Sequence, residues 1–285
     1  MRLAPRLALP KPTDRLPLGR SGLTVSPICM GITGSPETVV AAYEAGVNFF
    51  FISADLHWPL YEPTRKGLEM LLRDNPTRRD SIVVGVVSYL DEPLFYALQF
   101  NEVIDSVPGL GRVDLLIAGA VSSDNSFYPR VQSLQRARGV RHAGSSAIGA
   151  TFHQRPFAVV ADYYEWLDIS YIRYNTSHAK AREDLFPYLK PARPGLLYNF
   201  KSVMSRVSEE QFTALRLPGT YWKPSPTDYY RFVLSQADLD GILCSPLTPA
   251  EVKGLCRDLE KGPLSAEEQE YLIWLSAAAQ SPVMA

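Results

Sequence analysis

Asp55 and His57 are two residues apart, just beyond the apolar run 47–52. A carboxylate beside an imidazole can fix its tautomer and raise its basicity. Histidine is the side chain whose ordinary titration falls near neutral pH. The pair therefore reads as a candidate acid or base with its orienting group. Trp58 and Tyr61 follow in the same loop and could wall a substrate. A second polar set closes the run 169–174. Arg173 and Asn175 alternate with Tyr174, so on a strand they share a face. A guanidinium on an inward face needs an ion-pair partner or an anionic ligand. His178 follows, and reads as a ligand-facing residue or as a helix cap. Tyr198 ends another apolar run, and Lys201 beyond it reads as solvated.

Metal chemistry finds little support. His57, His142, His153 and His178 have no HxH or HExxH spacing. Cys29, Cys244 and Cys256 form no CxxC pair, so they read as free thiols of a reducing cytoplasm. Cys244 has no neighbour that would acidify it and reads as a small core residue.

Short apolar runs alternate with helical patterns and set the frame for these residues. Strands are expected at residues 28–32, 47–52, 82–87, 113–118, 140–144, 169–174, 195–198 and 241–244. Helix starts are marked by Ser35-Pro36, by Ser225-Pro-Thr-Asp228, by Thr248-Pro-Ala-Glu251 and by Ser265-Ala-Glu-Glu268. Alternating strands and helices predict a parallel sheet. A chain of 285 residues suits one (β/α)8 TIM barrel, which typically takes ~250. Residues 15–30, with Gly19 and Gly22, predict an N-terminal β-hairpin ahead of the barrel. The helix opened by Ser265 is extra at the C-terminus. Residues 1–14 are expected as a flexible tail before a barrel domain over 15–285. No GxGxxG or GxxxxGK[ST] follows a strand, which disfavours the usual dinucleotide and P-loop folds.

The chain is 46% apolar with a formal net charge of −1 and interspersed signs. That balance leaves no footprint for nucleic acid and no polybasic membrane patch. No run reaches the ~18 apolar residues of a membrane span. The expectation is a cytoplasmic protein whose partner is a small-molecule or peptide substrate.

Several segments resemble the aldo-keto reductase family. They are Arg15-Leu-Pro-Leu-Gly-Arg-Ser-Gly-Leu-Thr-Val-Ser-Pro27, Ala45-Gly-Val-Asn-Phe-Phe50, Val113-Asp-Leu-Leu116 and Gly139-Val-Arg-His-Ala-Gly-Ser-Ser146. Arg173-Tyr-Asn175, Phe232-Val-Leu-Ser235 and Gly262-Pro-Leu-Ser-Ala-Glu-Glu268 complete the set. Each piece is weak alone; their order and spacing carry the resemblance, over about residues 15–275. It implies the same α/β barrel, with chemistry at the C-terminal mouth. Family members reduce carbonyls with NADPH, using a Tyr as proton donor helped by a Lys, an Asp and a His.

Those four positions are replaced here. The Asp falls on Phe51 or Ile52, the Tyr on His57 or Leu56, the Lys on Ser88 or Val87, and the His on Gly119. The cofactor shell is thin as well. Ser146 matches the family's serine, but the amide-binding Asn is Ala147 and the carboxamide Gln is Tyr171. Gly254-Leu255 stand for a Glu-Asn pair, and Lys253 is out of place for the adenosine-phosphate cation. Tyr198 matches the aromatic that stacks on nicotinamide. The resemblance with these departures implies an enzyme with no cofactor, NADPH being the runner-up, that does acid–base chemistry as a lyase, isomerase, cyclase or hydrolase. His57 and Asp55 would act in catalysis. Trp58, Tyr61, Arg173, Asn175, His178 and Tyr198 would hold substrate. Two other readings stay open: a reductase with a rebuilt site, and a non-catalytic scaffold whose interior is plugged by Phe51 and Tyr171.

Overall fold

The computed structural model describes residues 5–90, 93–121, 128–132 and 145–280. Eight parallel strands close into a barrel in the order β10-β3-β4-β5-β6-β7-β8-β9. They are β3 (Ile28–Met30), β4 (Phe49–Ser53), β5 (Val83–Ser88), β6 (Leu115–Val121), β7 (Ala147–Phe152), β8 (Ile169–Arg173), β9 (Leu196–Phe200) and β10 (Gly241–Cys244). The expected hairpin is present as β1 (Leu16–Pro17) and β2 (Thr24–Val25), paired antiparallel. Its turn uses positive φ at Gly19 and Gly22, where glycine carries no steric penalty.

One strand differs from expectation. Residues 140–144 lie outside the described residues. The strand between β6 and β8 is Ala147–Phe152. Its inward positions are small because neighbours crowd them. A Cβ at Gly149 would come 2.7 Å from the Ile169 side chain.

The helices include α1 (Pro36–Glu44), α2 (Glu62–Asp74), α3 (Pro93–Ser106), α4 (Pro156–Tyr164), α5 (Ala181–Asp184), α6 (Glu209–Ala214), α7 (Pro226–Leu234), α8 (Pro249–Leu259) and the extra C-terminal α9 (Ala266–Gln280). Several starts are the ones the sequence marks. Ser225 and Asp228 form a capping box at α7. Thr248 accepts from the Glu251 N–H at α8, and Ser265 from the Glu268 N–H at α9. Each such cap satisfies a donor that the helix itself leaves orphaned.

Residues 5–14, expected as a flexible tail, are tied down at several points. Leu9 is buried and the Arg6 guanidinium donates to the Leu239 carbonyl. Thr13 packs against Gly46, leaving no room for a Cβ there.

Candidate functional site

Alternation along the strands decides what faces the interior. Phe49 and Phe51 of β4 point inward. Their rings meet Tyr198 and Tyr171 at 5.8 and 5.5 Å, edge to face. Tyr171 and Tyr198 also touch, at 5.8 Å. These four aromatics fill the barrel, and Phe51 among them lines a cleft of about 380 Å³ at its C-terminal mouth. Tyr198, expected to hold substrate, is fully buried below the cleft, and its hydroxyl donates to the Ser26 carbonyl on the floor side (2.8 Å). Two residues on, Phe200 takes the inward place at the mouth and lines the cleft.

The chain leaves β4 at Ser53 and turns toward α2 through a 3-10 turn, Trp58–Tyr61. No hydrogen bond or ion pair joins Asp55 to His57. Asp55 Oδ1 accepts from the Leu56 N–H (2.6 Å). Its Oδ2 accepts from Ser88 Oγ (2.6 Å) and the Tyr89 N–H (2.8 Å). The carboxylate thus splices the end of β4 to the end of β5. His57 lines the cleft at an exposed rim, its ring edge-on to Tyr89 at 5.2 Å. Trp58 is not on the cleft wall. It lies under the Arg65 guanidinium, 3.5 Å from its ring centre, an arrangement of cation–π type.

Tyr61 is in the cleft as expected, packed against Phe51. Burial pushes its phenol far above the usual range. Tyr89 shares this wall, its phenol also pushed up, first by burial and then by the Asp55 charge. Neither hydroxyl is spent on a hydrogen bond to a described residue. The Tyr89 ring lies over Gly119, where a Cβ would sit 2.6 Å away.

The opposite wall comes from β7 and β9 and the residues that follow them. His153 and Lys201 line it beside Thr151 and Phe200. Lys201, read from sequence as solvated, is half-buried here. Arg173 follows Tyr171 on the inward face of β8, just behind this lining. Asn175 is buried and structural: Nδ2 donates to the Lys201 carbonyl (2.9 Å), and Oδ1 accepts from the Ser177 N–H (3.1 Å). The same oxygen is 3.1 Å from His178 Nδ1. His178 closes this turn and does not line the cleft. Burial, then Arg173, Arg155 and Lys201, hold its imidazole below the usual range. Sequence reasoning missed His153 and Phe200. The period-two pattern Ala147-x-Gly149-x-Thr151-x-His153 is the signal that could have found the first.

The cofactor-related positions fall in several places. Ser146 and Ala147 open β7 at the floor, and both N–H groups donate to the Asp114 carbonyl (3.2 Å). They are a strand length from the mouth. At the N-terminus of α8, Glu251 Oε2 accepts from the Leu247 N–H (2.8 Å) while Thr248 caps the helix. Lys253 is exposed. Among the described residues no group of three His, Cys, Asp or Glu side chains is placed to hold a metal. None of the described helices is long and apolar enough to cross a membrane.

No protein-family model matches the sequence, and no curated protein matches it closely. Solved structures do match by fold. An aldo-keto reductase from Bacillus halodurans, in its holo form, superposes with a TM-score of 0.69 at 14% identity, covering 95% of this chain and 99% of that one. A candidate aldo-keto reductase from Pseudomonas aeruginosa gives 0.65 at 13% identity, covering 88% and 96%. The fold is therefore the aldo-keto reductase barrel over nearly its whole length.

Proposed function

We propose that this aldo-keto-reductase-like barrel is a nicotinamide-independent acid–base enzyme, a lyase, isomerase, cyclase or hydrolase acting on a small or peptide-like substrate at its mouth. The observation that carries the reading is the wall formed by His57, Tyr61 and Tyr89 around one closed-bottomed cleft. His57 has a ring nitrogen free to take a substrate proton. Tyr61 and Tyr89 are protonated at neutral pH, as any phenol is, and burial pushes both further up. Their hydroxyls can donate to an oxygen on which negative charge develops, in a site partly shielded from water. Proton abstraction next to a carbonyl, or attack on one, fits that set.

The residues at the positions for NADPH do not fit it. Tyr171 stands where the resemblance puts the carboxamide ligand and is buried under the cleft. A carboxylate, Glu251, engages the loop at the N-terminus of α8. The Tyr89 ring fills the space over Gly119, the place of the family's His. One observation favours the rebuilt-reductase reading: the Phe200 ring ends β9 at the mouth, where an aromatic could stack on nicotinamide. The scaffold reading gains from the Phe51–Tyr171 contact, yet that plug stops beneath an open cleft. The deciding experiment is turnover by the purified protein without added nicotinamide, compared with His57→Ala. Activity that requires NADPH, or that His57→Ala leaves intact, overturns the proposal.

A further inference from the structure

The wall facing His57 carries charge that the protein does not neutralise. Three consecutive strands end there in cationic or protonatable side chains: His153 after β7, Arg173 at the end of β8, and Lys201 after β9. Elsewhere five buried or half-buried arginines are paired with carboxylates. Arg65 meets Glu62, Arg79 meets Asp114, Arg155 meets Asp184, Arg193 meets Asp240 and Arg231 meets Asp228, at 2.6–2.9 Å. Arg173 forms no ion pair among the described residues, and its Nε is buried with no hydrogen-bond partner. A guanidinium at the barrel mouth whose buried Nε–H has no partner is left incomplete unless a ligand completes it.

Lys201 is held in place at some conformational cost. It has φ +63° without being glycine, and its carbonyl is fixed by Asn175. Such a conformation persists only where surrounding contacts over-determine it. His153 sits against the Phe200 ring at 5.6 Å, facing the same space.

We infer that His153, Lys201 and Arg173 form an anion subsite, and that the substrate of this cleft carries a carboxylate or phosphoryl group on an apolar body. The apolar body follows from the rest of the lining: Ile32, Phe51, Leu60, Val203 and Leu243. The inference rests on the cleft being the substrate site, as proposed above. It also places the anion across the mouth from His57, since β4 and β8 are diametrically opposed in the ring. The reacting bond would then be held at the His57 end by the anchored far end. The electrostatics agree. Burial, then Lys201 and Arg173, hold the His153 imidazole down, and burial, then Arg173, hold the Lys201 ammonium down. No carboxylate acts on either group. A bound anion would relieve all three.

The test is a binding measurement that needs no turnover. Titrate 3-phenylpropionate, its neutral amide and inorganic phosphate into ¹⁵N-histidine-labelled protein, and follow the His153 ring by NMR. Wild type and His57→Ala should both bind the carboxylate or the phosphate saturably. The neutral amide should not bind. Lys201→Gln and Arg173→Gln should each weaken anion binding by about tenfold or more, the scale of a lost charge-assisted hydrogen bond. Unchanged thermal midpoints would exclude misfolding, with His153→Gln as a third, milder variant. Binding of either anion upholds the subsite and identifies its source. Equal binding of the amide, no saturable response to either anion, or indifference to both cation substitutions overturns it. Because His57→Ala keeps the subsite, loss of the catalytic reading would leave this result standing.

Discussion

Asp55 and His57 look like a couple in the sequence and are not one in space. Residues i and i+2 share a face only while the chain is a strand, and the strand ends at Ser53. The turn sends the carboxylate to β5 and the imidazole to the cleft. Substitution should separate the two. His57→Ala and His57→Gln should each lower turnover by ~10²–10⁴-fold, the range for a lost general acid or base, with an unchanged thermal midpoint. Asp55→Ala should instead lower the unfolding free energy by about 1–3 kcal/mol, read as a fall in denaturant midpoint, since three donors lose their acceptor. A stable Asp55→Ala would show that the splice between β4 and β5 carries no weight. Tyr198 teaches a related lesson. Its residue type was legible as a stacking aromatic, but β9 runs two residues further than its apolar pattern indicated. That extension moves the mouth position to Phe200 and leaves Tyr198 bonded to the floor.

Elements with strong local signals were legible. The β-branched and aromatic runs of β4, β5 and β8 form strands where expected, and the Ser-Pro and Thr-Pro starts open helices where expected. β7 was placed too early, because Ala147-Ile-Gly-Ala-Thr-Phe152 has little intrinsic strand preference. It is a strand because its small inward residues fit between Leu115 and Ile169. Gly149→Ala should therefore destabilise the barrel by about 1–3 kcal/mol, the usual penalty of overpacking, read as a fall in denaturant midpoint. The contact between α7 and α8 gives a pH signature. Burial alone would raise the Asp258 carboxyl, but hydrogen bonds from Thr227, Arg257 and Lys261 outweigh it and hold it at about 2. Unfolded, this group titrates near ~3.9, so between those values the unfolded chain binds more protons. Its contribution is full above about pH 4 and is lost as the pH falls toward 2, by about 2 kcal/mol. Stability curves of wild type and Asp258→Asn should converge across that window. If they stay parallel, the carboxylate is not the group that titrates.

At the scale of the molecule, the barrel scaffold was readable from ordered segments spread along the chain, while the composition of its mouth required the closed ring. Only closure brings His153, Arg173 and Lys201 to one wall and His57, Tyr61 and Tyr89 to the other. The same closure bears on NADPH. A dinucleotide needs contacts at both of its ends at once, because each end alone must offset the lost freedom of the whole ligand. At the nicotinamide end, Phe200 supplies one ring, but Tyr171 is buried below the cleft. At the adenosine end, Glu251 engages the loop beside the first turn of α8 and Lys253 is exposed. Stacking on one ring contributes about 0.5–1.5 kcal/mol, far short of the whole. NADPH should therefore bind more weakly than ~100 μM, or about 5 kcal/mol. Fluorescence titration or calorimetry would measure it, and a saturating response in the low-micromolar range would move the protein to the rebuilt-reductase reading.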